Sequence, residues 1–247
     1  MKRRLALLPL VSALMFGGAA HAHQVWLEQT PKAAHLYFGE FGENLRETSP
    51  GLLDKFGKPV ATLSSEKGDQ ALTMSKEANA FALSARADKN QTIIVEEASY
   101  PGFEKKTGDN IVRSIWTPAA RLVTSDAALA PKLTLDIVPS GKPGEFKVYY
   151  MGQPLTKTKV GIVVQSGWFR EATSDDQGAV TFDLPWQGTY VLEVHHTDKT
   201  AGERDGKPYD VASFVTTLSL TRAKGIKAVA AAPATTPATT PAATPNK

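Results

Sequence analysis

The sequence predicts an all-β protein: two antiparallel β-sandwich modules followed by a disordered tail. Three observations carry this expectation. Short segments rich in β-branched and aromatic residues recur along the chain, and Gly, Pro, Asn and Asp separate them. No stretch sustains the apolar stripe of a helix. The spacing suits a sandwich or barrel rather than alternating strand and helix units.

The chain opens on a pattern that belongs to export rather than to the fold. Lys2, Arg3 and Arg4 precede an apolar run from Leu5 to Gly17, and Ala20-His21-Ala22 has the form of a small-residue cleavage site. The apolar run is shorter than the roughly 20 residues that a membrane span needs. Residues 1–22 are therefore expected to be a signal peptide, which places the mature protein in the periplasm. Cleavage after Ala22 leaves 225 of the 247 residues, beginning at His23. It also removes three of the 28 basic residues and none of the 25 acidic ones, so the mature chain is balanced at 25 of each. That balance gives no electrostatic ground for binding nucleic acid or an acidic membrane surface. There is no cysteine, so stability must come from core burial rather than from disulfides.

The first group of predicted strands is Val25–Glu28, Ala34–Phe38, Val60–Ser64, Ala71–Met74, Phe81–Arg86 and Thr92–Glu97, forming an N-terminal β domain over residues 23–127. Residues 100–130 are the least regular part and are expected to hold a crossover or a short helix. The run Ala127–Pro131 marks a boundary. The second group, within residues 131–221, is Leu133–Val138, Glu145–Met151, Val160–Gln165, Arg170–Thr173, Val180–Leu184, Thr189–His196 and Ser213–Leu220. Asp175-Asp176-Gln177-Gly178 reads as a hairpin turn, with Gly178 suited to a positive φ. Residues 223–247 are rich in Ala, Pro and Thr, with the near-repeat Pro233-Ala-Thr-Thr-Pro237-Ala-Thr-Thr-Pro241, and bury too little apolar area to order themselves.

The second group follows a recognisable order. A Gly152-Gln-Pro154-Leu155 turn enters the strand at Val160, then come Asp175 to Gly178, Phe182-Asp-Leu184 and Gly188-Thr-Tyr190-Val-Leu192-Glu-Val194. This order resembles the carboxypeptidase-regulatory and prealbumin-like β-sandwich modules, and implies an Ig-like or prealbumin-like fold. With His23-x-x-Trp26-Leu-Glu28 at the mature start, Glu193-Val-His195-His196 and Tyr209…Ser213-Phe-Val-Thr-Thr-Leu218, most of the mature chain resembles the DUF4198 family. Members of that family are exported proteins often labelled as nickel or cobalt uptake components. The resemblance implies a periplasmic metal-binding accessory whose partner is a membrane component of metal uptake.

The residues themselves offer metal chemistry. A free N-terminal histidine presents its α-amine and ring Nδ1 to one ion as a six-membered chelate. Imidazole and amine nitrogens suit nickel, cobalt and copper. His23 is therefore the first candidate ligand. In the strand Tyr190–His196, alternation puts Tyr190, Leu192, Val194 and His196 on one face and Val191, Glu193 and His195 on the other. Glu193 and His195 are thus a candidate partial ligand set with His23, whereas His196 would join only if the strand end turned. His35 is expected to be structural.

Other readings stay open at this point. Trp168 and Trp186 are candidates for a sugar-stacking platform, which would make the chain a carbohydrate-binding module. A ligand-free structural adaptor is the third reading. No nucleophile elbow, His-Glu-x-x-His, phosphate loop or dinucleotide fingerprint is present, and the chain reads as non-enzymatic.

Overall fold

The computed structural model describes residues 23–108, 110–231 and 233–235. The expected signal peptide and the end of the tail lie outside them. The protein is all-β, with only two 3-10 turns, Phe41–Glu43 and Leu52–Lys55, among the described residues. No helix among those residues is long and apolar enough to cross a membrane.

The predicted strands of both groups form, most of them within one to three residues of the expected bounds. Their pairing joins the groups into one long ten-stranded sheet. Its main path runs Phe169–Thr173, Lys159–Val164, Trp186–Asp198, Val211–Arg222, Asn110–Val123, Thr92–Glu96, Val60–Ser65 and Gly68–Leu72, and Ile226–Lys227 and Phe103–Thr107 pair off it with Trp186–Asp198 and Asn110–Val123. The join is a parallel pairing of Asn110–Val123 with Val211–Arg222, from Ser114 opposite Val211 to Val123 opposite Leu220. The strands on either side of Ala127–Pro131 therefore share hydrogen bonds.

Two hydrophobic cores lie on opposite faces of this sheet, and side-chain alternation explains how. In Asn110–Val123, Ala120 and Leu122 enter one core while Ile115 and Val123 enter the other. The first core is closed by a five-stranded sheet that includes Gln24–Gln29, Ala34–Glu40, Phe81–Leu83 and Met74–Lys76. Val25, Leu27, Leu36 and Phe38 of that sheet meet Ala61, Ile93 and Val95 of the long sheet. The second core is closed by Leu135–Pro139, Glu145–Tyr150 and their short partners. Ile137, Phe146 and Val148 meet Ile162, Leu192 and Leu218 there. Each cover lies over a different end of the long sheet, so part of each face stays open.

Three expectations need correction. Among the described residues of 100–130 there is neither a crossover helix nor an irregular passage at the centre. Phe103–Thr107 turns back onto the fourteen-residue strand Asn110–Val123, the seam of the fold. Ala71–Met74 is not one strand: Gly68–Leu72 belongs to the long sheet and Met74–Lys76 to the five-stranded one. The tail does not begin at residue 223, because Ile226–Lys227 pairs with Trp186 and Gln187. The Asp175–Gly178 turn is as expected. Asp175 Oδ1 accepts from Gln177 N–H and Ala179 N–H, both at 2.8 Å, and Gly178 has φ of 72°.

Candidate functional site

His23 immediately precedes the edge strand Gln24–Gln29, and the register of that strand determines what surrounds it. Gln24 lies opposite Gly39, which brings Glu40 beside His23. Leu45–Arg46 then folds back onto Ala34–Glu40, with Gly39 opposite Arg46 and Glu40 opposite Leu45. This close return depends on Gly39, whose φ is 142° and whose Cβ would collide with the Leu45 carbonyl. Glu47 N–H then donates to Phe38 O at 2.8 Å, and its side chain turns under His23.

The result is an imidazole set between two carboxylates. His23 Nε2 lies 2.6 Å from Glu47 Oε1, and His23 Nδ1 lies 3.7 Å from Glu40 Oε1. Glu47 is buried, its side chain only 5% exposed. A carboxylate only accepts, so the Nε2–H donates to Glu47 and the neutral ring keeps its lone pair on Nδ1, toward Glu40. Beneath the ring is an aromatic cluster. His23 meets the Phe38 ring edge-on at 5.3 Å, and Phe38 packs on Phe56, Tyr100 and Trp116. Burial first, and then the charge of Glu47, raises the pKa of the Tyr100 phenol.

The second candidate pair stands on the open face of the long sheet. Glu193 and His195 point the same way, and His195 Nε2 is hydrogen-bonded to Glu193 Oε1. They line a cavity of about 1090 Å³ together with Gln24, Glu40 and Glu43. Glu40 therefore belongs to both surroundings, beside His23 and on the wall of the cavity that holds Glu193 and His195. Among the described residues, no group of three or more His, Asp or Glu side chains is placed to hold an ion.

No family model, curated protein or solved structure matches the chain.

His196 takes no part with its neighbour. Pairing with Val211–Arg222 runs unbroken from Gly188 to Asp198, so no bulge turns His196 to the open face. Its ring instead packs 4.2 Å from that of Tyr150, and burial lowers its pKa against the opposing pull of Asp198. Tyr150 donates to Asp198 at 2.8 Å, and its phenol is pushed up to about 12, chiefly by burial and then by that bond. His35 is half-buried on the outer face of its sheet, 3.7 Å from Glu77. Trp168 and Trp186 pack against the second core with ring planes 73° apart, and Arg170 sits 4.9 Å over the Trp168 ring. Two rings at that angle give no single flat surface for a sugar ring.

Sequence reading alone missed Glu40, Glu47 and the aromatic cluster. A signal was present. Pairing Val25–Glu28 with Ala34–Phe38 as a hairpin fixes Glu40 opposite His23 once the register is chosen. Glu47 has no such signal, because only the turn after Gly39 brings it back.

Proposed function

We propose that the processed chain binds a nickel, cobalt or copper ion through the α-amine and ring Nδ1 of His23 together with the Glu40 carboxylate. The observation that carries this reading is the pair of contacts on the His23 ring. Two donors bound to one ion at about 2.1 Å with tetrahedral angles stand about 3.4 Å apart. Nδ1 and Glu40 Oε1 are 3.7 Å apart, too far for a hydrogen bond and close to the span that an ion bridges. A ligating imidazole almost always gives its other N–H to a carboxylate or carbonyl, which fixes its tautomer and orientation. Glu47 is that carboxylate. The donor set needs only two side chains because the third donor is the chain's own amine.

Glu193 and His195 share a cavity with Glu40, which suits a second station for the ion or its way out. His196 is left out of the proposal. The protein would act without catalysis in the periplasm, as an accessory that hands its ion to a membrane uptake component. We also read each core with its covering sheet as one sandwich module, the two sharing the long sheet. The test is titration of purified processed protein with copper, nickel and cobalt, followed by the same titration of Glu40→Gln. Tight one-to-one binding that the substitution weakens supports the reading, and equal affinities for the two proteins reject it.

A further inference from the structure

We infer that the cavity shared by Gln24, Glu40 and Glu193 is a binding site for an alkylammonium group, a function separate from the metal reading and not dependent on it. Its floor is the uncovered part of the long sheet. There Glu171, Gly161 and Glu193 stand in one cross-strand row. Adjacent strands lie about 4.8 Å apart, so the two carboxylate-bearing positions are separated by roughly 10 Å. Gly161 has no side chain of its own there, and the Phe169 ring takes up the space above it, 2.8 Å from where a Cβ would be, as an apolar surface between the two carboxylates. Val163 and Val191 continue the apolar floor.

The decisive atom is on the wall. Gln24 is only 6% exposed, lines the cavity, and its Oε1 is buried with no hydrogen-bond donor. Buried acceptors in folded proteins almost always have a partner, so this one calls for a donor from outside the chain. Charge decides what kind. Four glutamates, residues 40, 43, 171 and 193, line the cavity against two lysines, Lys157 and Lys159. Lys159 and Glu171 pair with each other at 2.8 Å, and the rest of the lining carries three carboxylates against Lys157 and His195. An anion would be repelled, and a plain hydrocarbon would leave Gln24 unpaired. A cation with N–H donors on an aliphatic stem satisfies the acceptor, the carboxylates and the apolar floor together. A free small amine and the lysine side chain of a protein partner share that chemistry.

The test is calorimetric titration of the full processed chain with n-butylamine, 1,4-diaminobutane and Nα-acetyl-lysine methylamide at neutral pH, with n-butanol as the uncharged control. Saturable binding of the amines but not of the alcohol is expected. Glu193→Gln should weaken it about tenfold, the loss of one charge-assisted hydrogen bond. Phe169→Ala, at an exposed position where folding is not at risk, should weaken it too. Tightest binding of the lysine derivative assigns the site to a protein partner, and tightest binding of the diamine assigns it to a free amine. The inference is overturned if n-butanol binds as well as n-butylamine, or if no amine gives saturable heat at millimolar concentration.

Discussion

Thr217 Oγ1 donates to the carbonyl oxygen of Val25 at 2.7 Å, in a position with no solvent exposure. The bond fastens the edge strand Gln24–Gln29 to the long sheet. Thr217 is also the cross-strand partner of Glu193. One hydroxyl therefore sits between the two halves of the candidate site, two residues from His23 along one strand and one strand away from Glu193. Thr217→Val keeps the shape and removes the donor, so it should cost about 1–3 kcal/mol, read from urea unfolding. Ser219 on the same strand is the control. Its hydroxyl is buried without a partner, so Ser219→Ala should be neutral or stabilising.

The seam between the two cores rests on a buried ion pair. Arg121 Nε and Nη2 donate to the two carboxylate oxygens of Asp136 at 2.9 and 2.5 Å, and both side chains are at most 1% exposed. Asp136 Oδ2 also accepts from Lys132 N–H and Leu133 N–H. Breaking a buried pair from one side leaves an uncompensated charge. Asp136→Ala should therefore destabilise the protein by about 3–5 kcal/mol. Thermal unfolding checks this, and removing both charges with Arg121→Met and Asp136→Leu should recover part of the loss.

The sequence reading succeeded where one residue pattern has one cause. The strand Tyr190–His196 alternates cleanly, and its inward residues Tyr190, Leu192 and Val194 are all fully buried. The hairpin turn at Asp175–Gly178 was legible because Asp and Gly each have a specific job there. The seam strand was not, because Pro118 lies in its middle and a proline argues against an interior strand. It is accommodated because the ladder with Thr92–Glu96 ends at Ala119 opposite Glu96, so the missing N–H falls just past that end, where the Pro118 carbonyl accepts from Glu97 N–H at 2.9 Å. The joining of the two groups into one sheet was invisible for a different reason: a parallel pairing between residues about 100 apart leaves no local mark.

Acid should weaken the contacts around residues 49–54 as pH falls from about 4 toward 2. Asp54 accepts from Lys76, Ser49 and Gly51, and these bonds hold its carboxyl down at about 2, with the Lys76 contact the largest cause. The folded value lies below the ordinary one, so the contribution is complete above about pH 4 and is lost as pH falls toward 2. Asp54→Asn should flatten the stability curve over that window and leave its slope above pH 5 unchanged, as followed by urea unfolding across pH.

Glu47 touches the proposed ion only through His23. Removing its charge should therefore weaken metal binding without abolishing it. Glu47→Gln is expected to lower affinity 10- to 100-fold, the usual effect of losing a carboxylate that orients a ligating histidine. His23→Ala should remove binding altogether. Equal losses in the two variants would make Glu47 a direct ligand instead.

In the proposed function, a free amine on His23 is the feature that separates the site from a simple surface histidine. The most direct test compares copper, nickel and cobalt affinities of the protein beginning at His23 with those of a form carrying one methionine before it. The extra residue converts the amine to an amide and leaves the ring, Glu40 and Glu47 in place. A sharp loss of affinity is expected in the extended form, and a fall in the affinity of the form beginning at His23 as acid supplies protons that compete for its nitrogens. Equal affinities for the two forms would contradict the proposed function.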